Sequence, residues 1–116
     1  MILVDTSVWI CHLRLGNVRL TRELEAGQVL GHPFVLGELA CGTLKQRIRI
    51  LTLLAKLPQA RMASHAEVQT LIDGHQLSRR GLGLIDMHLL ASALIENAKL
   101  LTLDKRLANA FASIGS

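Results

Sequence analysis

The amino-acid sequence predicts an α/β domain of three layers, α/β/α, around a parallel sheet of four to five strands. Three observations lead there. Ile2, Leu3 and Val4 form a short run of β-formers that ends in an acid, Asp5, and a helical pattern begins at once behind Thr6 and Ser7, both good helix caps. Lys99, Leu100, Leu101, Thr102 and Leu103 repeat that arrangement and end in Asp104. Between these runs, short apolar stretches alternate with segments of helical period. That is the pattern of β-α-β units, whose strands run parallel through right-handed crossovers.

Taken in order, Val8, Trp9, Cys11, His12 and Leu13 share a helix of about two turns that Gly16 closes. A second helix over 17–26 sets Val18, Leu20 and Leu24 against exposed Arg19, Arg22, Glu23 and Glu25, and Gly27 ends it. Residues 29–32 read as a second strand, since His32 precedes a proline and is biased to extended geometry. Pro33 suits the first turn of a third helix reaching about residue 42. A fourth helix over 46–57 has a basic face (Lys45, Arg47, Arg49, Lys56) and an Ile/Leu-rich one, and Pro58 stops it. Residues 61–63 form a weak third strand. Ser64, with Glu67 three residues on, has the spacing of a capping box for a helix over 65–77. A polar loop over 78–83 carries Arg79 and Arg80, and a long apolar helix over 85–97 leads into the strand over 99–103 and a last helix over 107–111. No repeat, linker or low-complexity segment divides residues 1–116, so one domain is expected.

Composition narrows the function. The chain is 50% hydrophobic and 19% charged, and its mean hydropathy of +0.36 points to apolar surface that a second copy or a partner covers. A net charge of +4 favours a polyanionic partner. Trp9, Phe34 and Phe111 are the only aromatic residues, which excludes a single-strand binder built on base stacking; contact with nucleic acid would run through phosphates. Cys11 and Cys41 lack any metal or redox motif and are expected to be small buried hydrophobes in a reducing cytosol. No basic leader precedes the first strand, and no apolar run reaches the ~18 residues of a membrane span. A cytoplasmic protein without a membrane partner is expected.

The acids carry the chemistry. Glu23, Glu25, Glu67, Asp73 and Glu96 have polar neighbours and read as solvated helix charges. Four others differ. Asp5 and Asp104 each follow an apolar strand, so a parallel sheet puts both at one edge, where ligands of open α/β sheets bind. Glu38 shares a predicted helix face with Phe34, Val35, Cys41 and Gly42, and Asp86 with Leu89, Leu90 and Ala93. An acid on an inward helix face is costly unless paired or bound to a cation. Helix capping explains Asp5, Asp86 and Asp104 equally well when each is taken singly; Glu38 has no such alternative.

Two like charges about 4 Å apart repel by roughly 4 kcal/mol at an effective dielectric near 20, and several such pairs rival a domain's stability of about 5–15 kcal/mol. Protons or a divalent cation must offset that, and neutralising Asp5 should then leave the metal-free fold intact or slightly stabilised. An all-oxygen site favours Mg²⁺ or Mn²⁺ over zinc, and such a cation activates water and clamps the charge of an in-line displacement at phosphorus. A basic protein with an acidic metal pocket makes physical sense as a nuclease.

Asp5 in Val-Asp-Thr-Ser, Glu38 in Leu-Gly-Glu-Leu, Asp86 in Ile-Asp-Met-His-Leu-Leu-Ala-Ser-Ala-Leu and Asp104 in Leu-Thr-Leu-Asp resemble the four acidic positions of PIN-domain ribonucleases. The segment Arg80-Gly81-Leu82-Gly83-Leu84-Ile85-Asp86 and the compact length are similar to the VapC-type toxins of toxin–antitoxin modules in particular. The resemblance covers nearly the whole chain. It implies a PIN-like fold, a Mg²⁺- or Mn²⁺-dependent endoribonuclease acting on an RNA substrate, a homodimer, and inhibition by a cognate VapB-type antitoxin whose tail fills the site. It implies that Asp5, Glu38, Asp86 and Asp104 hold the metal and that Thr6, Ser7 and Thr102 hold a water or steer a carboxylate. Cleavage would leave a 5′-phosphate and a 3′-hydroxyl, with Arg79 and Arg80, and then Arg14 or Lys105, on the RNA backbone. Two departures stand out: Lys105 and Arg106 follow Asp104 where some members have another acid, and a final strand after Phe111 is doubtful.

His12, His32, His65, His75 and His88 lack the spacing of metal ligands and are expected to do no chemistry. Gly81-Leu82-Gly83 follows no strand and lacks a third glycine, so it is no dinucleotide fingerprint. The rival readings are a catalytically inert PIN-like protein-binding domain and a metal-dependent phosphatase. A phosphatase of the haloacid-dehalogenase kind needs a second acid where Ser7 stands, and a receiver domain needs paired acids and a late lysine that are not evident.

Overall fold

In the computed structural model, which describes residues 1–114, seven helices surround a parallel sheet among the described residues. The strands are β1 (Ile2–Val4), β2 (Val29–Leu30) and β3 (Lys99–Leu101), and the helices are α1 (Thr6–Leu15), α2 (Val18–Glu25), α3 (Pro33–Cys41), α4 (Arg47–Ala55), α5 (His65–Gly74), α6 (Leu84–Ile95) and α7 (Lys105–Ile114). The strand order is β2-β1-β3. All three β1 residues are buried, as a central strand covered on both faces demands. The chain leaves β1 toward β2 on one side and returns as β3 on the other, so β1 ends at the topological switch point of the sheet.

Register then positions the site. Ile2, Leu3 and Val4 lie opposite Lys99, Leu100 and Leu101, and the Asp5 amide donates to the Leu101 carbonyl at 2.9 Å. The next residue on each strand is Asp5 and Thr102, brought side by side.

Two apolar clusters hold the layers together. One joins Ile2, Leu3, Val4, Val29 and Leu30 to Val8, Trp9, Leu20, Val35, Leu39, Leu89 and Ala93 from the helices. The other joins Val68, Leu71, Met87, Leu90, Leu107 and Ala110 from α5, α6 and α7. Leu100 and Phe111 pack against both.

The α/β architecture is as expected, with three differences of detail. Residues 61–63 form no strand; the chain there meets the sheet only as a bridge between Gly31 and Gln59, so three strands form among the described residues. Residues 58–60 run extended beyond the two-residue β2, and Pro58 and Ala60 bracket Gly31 with two backbone bonds of 2.8 Å. Residues 111–114 stay in α7, which leaves no final strand among the described residues; Gly115 and Ser116 lie outside them. Cys41 is exposed at the end of α3 and Cys11 is half-buried, so neither is a core residue. No described helix is long and apolar enough to cross a membrane.

Candidate functional site

The first helix is capped differently from the expectation. Asp5 itself is the N-cap: its Oδ1 accepts from the Thr6 amide at 2.8 Å, and Thr6 and Ser7 belong to the first turn. Their hydroxyls are thereby free to work outward. Ser7 Oγ donates to Asp5 Oδ2 at 2.8 Å and Thr102 Oγ1 donates to the same oxygen at 2.7 Å. Each hydroxyl has one proton, and both protons point at Oδ2. The 3.4 Å approach of the two hydroxyls is therefore a contact and not a hydrogen bond.

The two hydroxyls in turn accept backbone protons, Ser7 from Leu103 at 3.1 Å and Thr102 from Asp104 at 3.0 Å. Thr6 Oγ1 donates to Glu38 Oε1 at 2.6 Å. Thr6 thus links Glu38 to Asp5, by its hydroxyl on one side and its backbone amide on the other, and Thr102 links Asp5 to the backbone amide of Asp104. Asp104 Oδ1 accepts from the amides of Arg106 and Leu107 at 2.9 and 3.4 Å and caps α7. Asp86 stands in the first turn of α6, where its Oδ2 accepts from the Gly83 amide at 3.0 Å.

Three of the four acids therefore sit at helix N-termini, where aligned peptide dipoles favour negative charge. Each of the three aspartates accepts a backbone amide at the start of its helix. Asp86 is pushed up from the ordinary carboxylate value by burial first, and further by the charges of Asp5 and Asp104, while the Gly83 amide and Arg106 pull it down.

Glu38 corrects the expectation of an inward-facing acid. The buried face of α3 carries Val35 and Leu39, and Glu38, one residue before Leu39, is turned about 100° away and exposed. It borders an open cavity of about 550 Å³ whose walls include Leu13, Leu39 and Ile50, with Arg14 and Lys45 at its rim. Among the described residues, no three His, Cys, Asp or Glu side chains converge as a ready-made metal site.

Arg79 is exposed with a left-handed backbone (φ +64°), and Arg80 is half-buried with one guanidinium nitrogen 3.3 Å from Ser113 Oγ. Two residues to which the sequence assigned no part in the site do take positions beside it. His32 is fully buried, accepts the Phe34 amide on Nδ1 at 3.0 Å, and lies 3.0 Å from Ser92 Oγ through Nε2. With Nδ1 an acceptor, the ring is neutral and Nε2–H donates to Ser92, which ties α3 to α6. Burial first and His88 second lower its pKa to about 4. A histidine directly before a helix-starting proline was the available signal. Arg106 is the other: its Nε lies 3.8 Å from Asp104 Oδ1.

A parallel sheet with oxygen-rich side chains gathered at its switch point defines the class, and the PIN domain family matches residues 2–111. The chain belongs to the PIN-domain family. In particular, it is 49% identical to Ribonuclease VapC32 of Mycobacterium tuberculosis over 116 residues, 99% of this chain and 94% of that protein, in both the CDC 1551 and the H37Rv strains.

Proposed function

We propose that this protein is a metal-dependent endoribonuclease of the VapC kind, the toxin of a type II toxin–antitoxin pair. The observation that carries the reading is the set of hydrogen bonds at the end of the central strand, in which Thr6 ties Glu38 to Asp5 and Thr102 ties Asp5 to the backbone of Asp104. The near full-length likeness to Ribonuclease VapC32 supports it independently.

The donor set fits a hard divalent cation in kind. All four candidates are carboxylates, and Asp86 already feels excess negative charge from Asp5 and Asp104. Asp5, Glu38, Asp86 and Asp104 would hold Mg²⁺ or Mn²⁺, which when bound supplies Lewis acidity toward water and phosphate. The chain's own residues do the positioning. Ser7 and Thr102 fix the Asp5 carboxylate plane by two donated protons, and Thr6 fixes that of Glu38. Asp104 is oriented by the first-turn amides of α7, and Asp86 by the Gly83 amide. Arg79 and Arg80 on the loop before α6 meet the RNA backbone.

The protein would work in the cytoplasm as a homodimer restrained by a VapB-type antitoxin, all on residues 1–116 as one domain. The rival reading, an inert protein-binding PIN-like domain, draws on the four acids' failure to converge as a ready-made site. Purified protein incubated with structured RNA and Mn²⁺ should give 5′-phosphate, 3′-hydroxyl fragments that a chelator suppresses. Intact RNA in the presence of Mn²⁺ would favour the inert domain.

A further inference from the structure

Arg106 stands between the loop that ends at Gly83 and the acids of the sheet edge. Its Nε is 3.8 Å from Asp104 Oδ1, the one ion pair among the described residues, and its own amide donates to the same oxygen at 2.9 Å. The side chain lies across Gly81. A Cβ there would come within 2.8 Å of Nη1 and 3.0 Å of Cδ, and Gly81 has the left-handed φ of +76° that favours glycine. The loop thus offers the arginine a bare backbone to lie on.

We infer that Arg106 is the resident counter-ion of Asp104 and competes with a divalent cation for it, holding the cation's affinity below what the acids alone would give. The inference rests on the metal-dependent ribonuclease reading. A guanidinium and a divalent cation repel each other at a shared carboxylate, so binding one weakens the other. The guanidinium side chain is 67% exposed, which keeps its grip modest and lets it be displaced. Lys105, the neighbouring cation on α7, has no such pairing among the described residues.

Calorimetric titration of Mn²⁺ into the wild type, R106Q and K105Q tests this, with thermal melts verifying that each variant is folded. R106Q should bind Mn²⁺ tighter by a factor on the order of three to five. K105Q, with the same change in net charge, should stay close to the wild type. A merely structural arginine would weaken binding when removed, so a gain is diagnostic. Unchanged or weaker binding by R106Q, or an equal gain in K105Q, would overturn the inference while leaving the ribonuclease reading in place. If none of the three proteins binds Mn²⁺, both fall together.

Discussion

Asp5 Oδ1 caps α1 through the Thr6 amide, while Oδ2 receives the Ser7 and Thr102 hydroxyls in a buried setting. Neutralising it therefore removes more than a repulsive charge. In Asp5→Asn, an NH₂ group facing those hydroxyls would leave both O–H groups without their acceptor. Hydrogen bonds to a charged group are worth about 1.5–3 kcal/mol each, so the like-charge relief expected from sequence is outweighed. Asp5→Asn should lose stability by about 1–2 kcal/mol in denaturant melts and lose RNA cleavage altogether. Retained cleavage by the folded variant would remove Asp5 from the site. The acid at the strand end and the hydroxyls beside it were legible in the sequence, because a strand followed at once by a helix leaves few places for those side chains. Apolar neighbours at three and four residues do not bury Glu38, because the buried face of α3 runs through Val35 and Leu39 and turns away from it by one residue.

At the scale of elements, α3 and α6 carry Glu38 and Asp86, and His32 pins one to the other through Ser92. Its pKa falls from 6.5 to about 4 on folding. The folded state thus resists a proton that the unfolded chain accepts: the stability linked to His32 is intact above about pH 6.5 and is lost as pH falls toward 4. The loss reaches about 3 kcal/mol. His88, also lowered by burial, drives stability the same way, whereas Asp86, raised, gains a proton more easily in the fold. Melts of wild type and His32→Asn, which keeps a cap but not the titration, should diverge between pH 7 and pH 4, the wild type losing more; parallel curves would show that His32 does not set the acid limit. Periodicity and punctuation disclosed every helix, and the Ser64–Glu67 capping box formed as its spacing predicted. What was not legible was tertiary: whether residues 61–63 reach the sheet depends on the length of β2, and a lone histidine has no period by which its burial can be read.

For the molecule as a whole, strand order places three helix N-termini and their aspartates around the C-terminal edge of one central strand. That topology brings Asp5 and Asp104 to one sheet edge and Thr6 ties Glu38 to it, though no three carboxylates converge as a ready-made cluster among the described residues. The chain's net charge of +4 complements a polyanion. If the four carboxylates act as one site, cation binding must stabilise the fold through them. A ligand at a hundredfold excess over its Kd adds about 2.7 kcal/mol, or on the order of 10 °C in Tm for a chain of this size. The decisive measurement is the Mn²⁺-induced shift in Tm of the wild type beside Asp5→Asn, Glu38→Gln, Asp86→Asn and Asp104→Asn. A large shift in the wild type that shrinks in every variant is the predicted result; equal shifts in all five proteins would mean that the acids do not form the site.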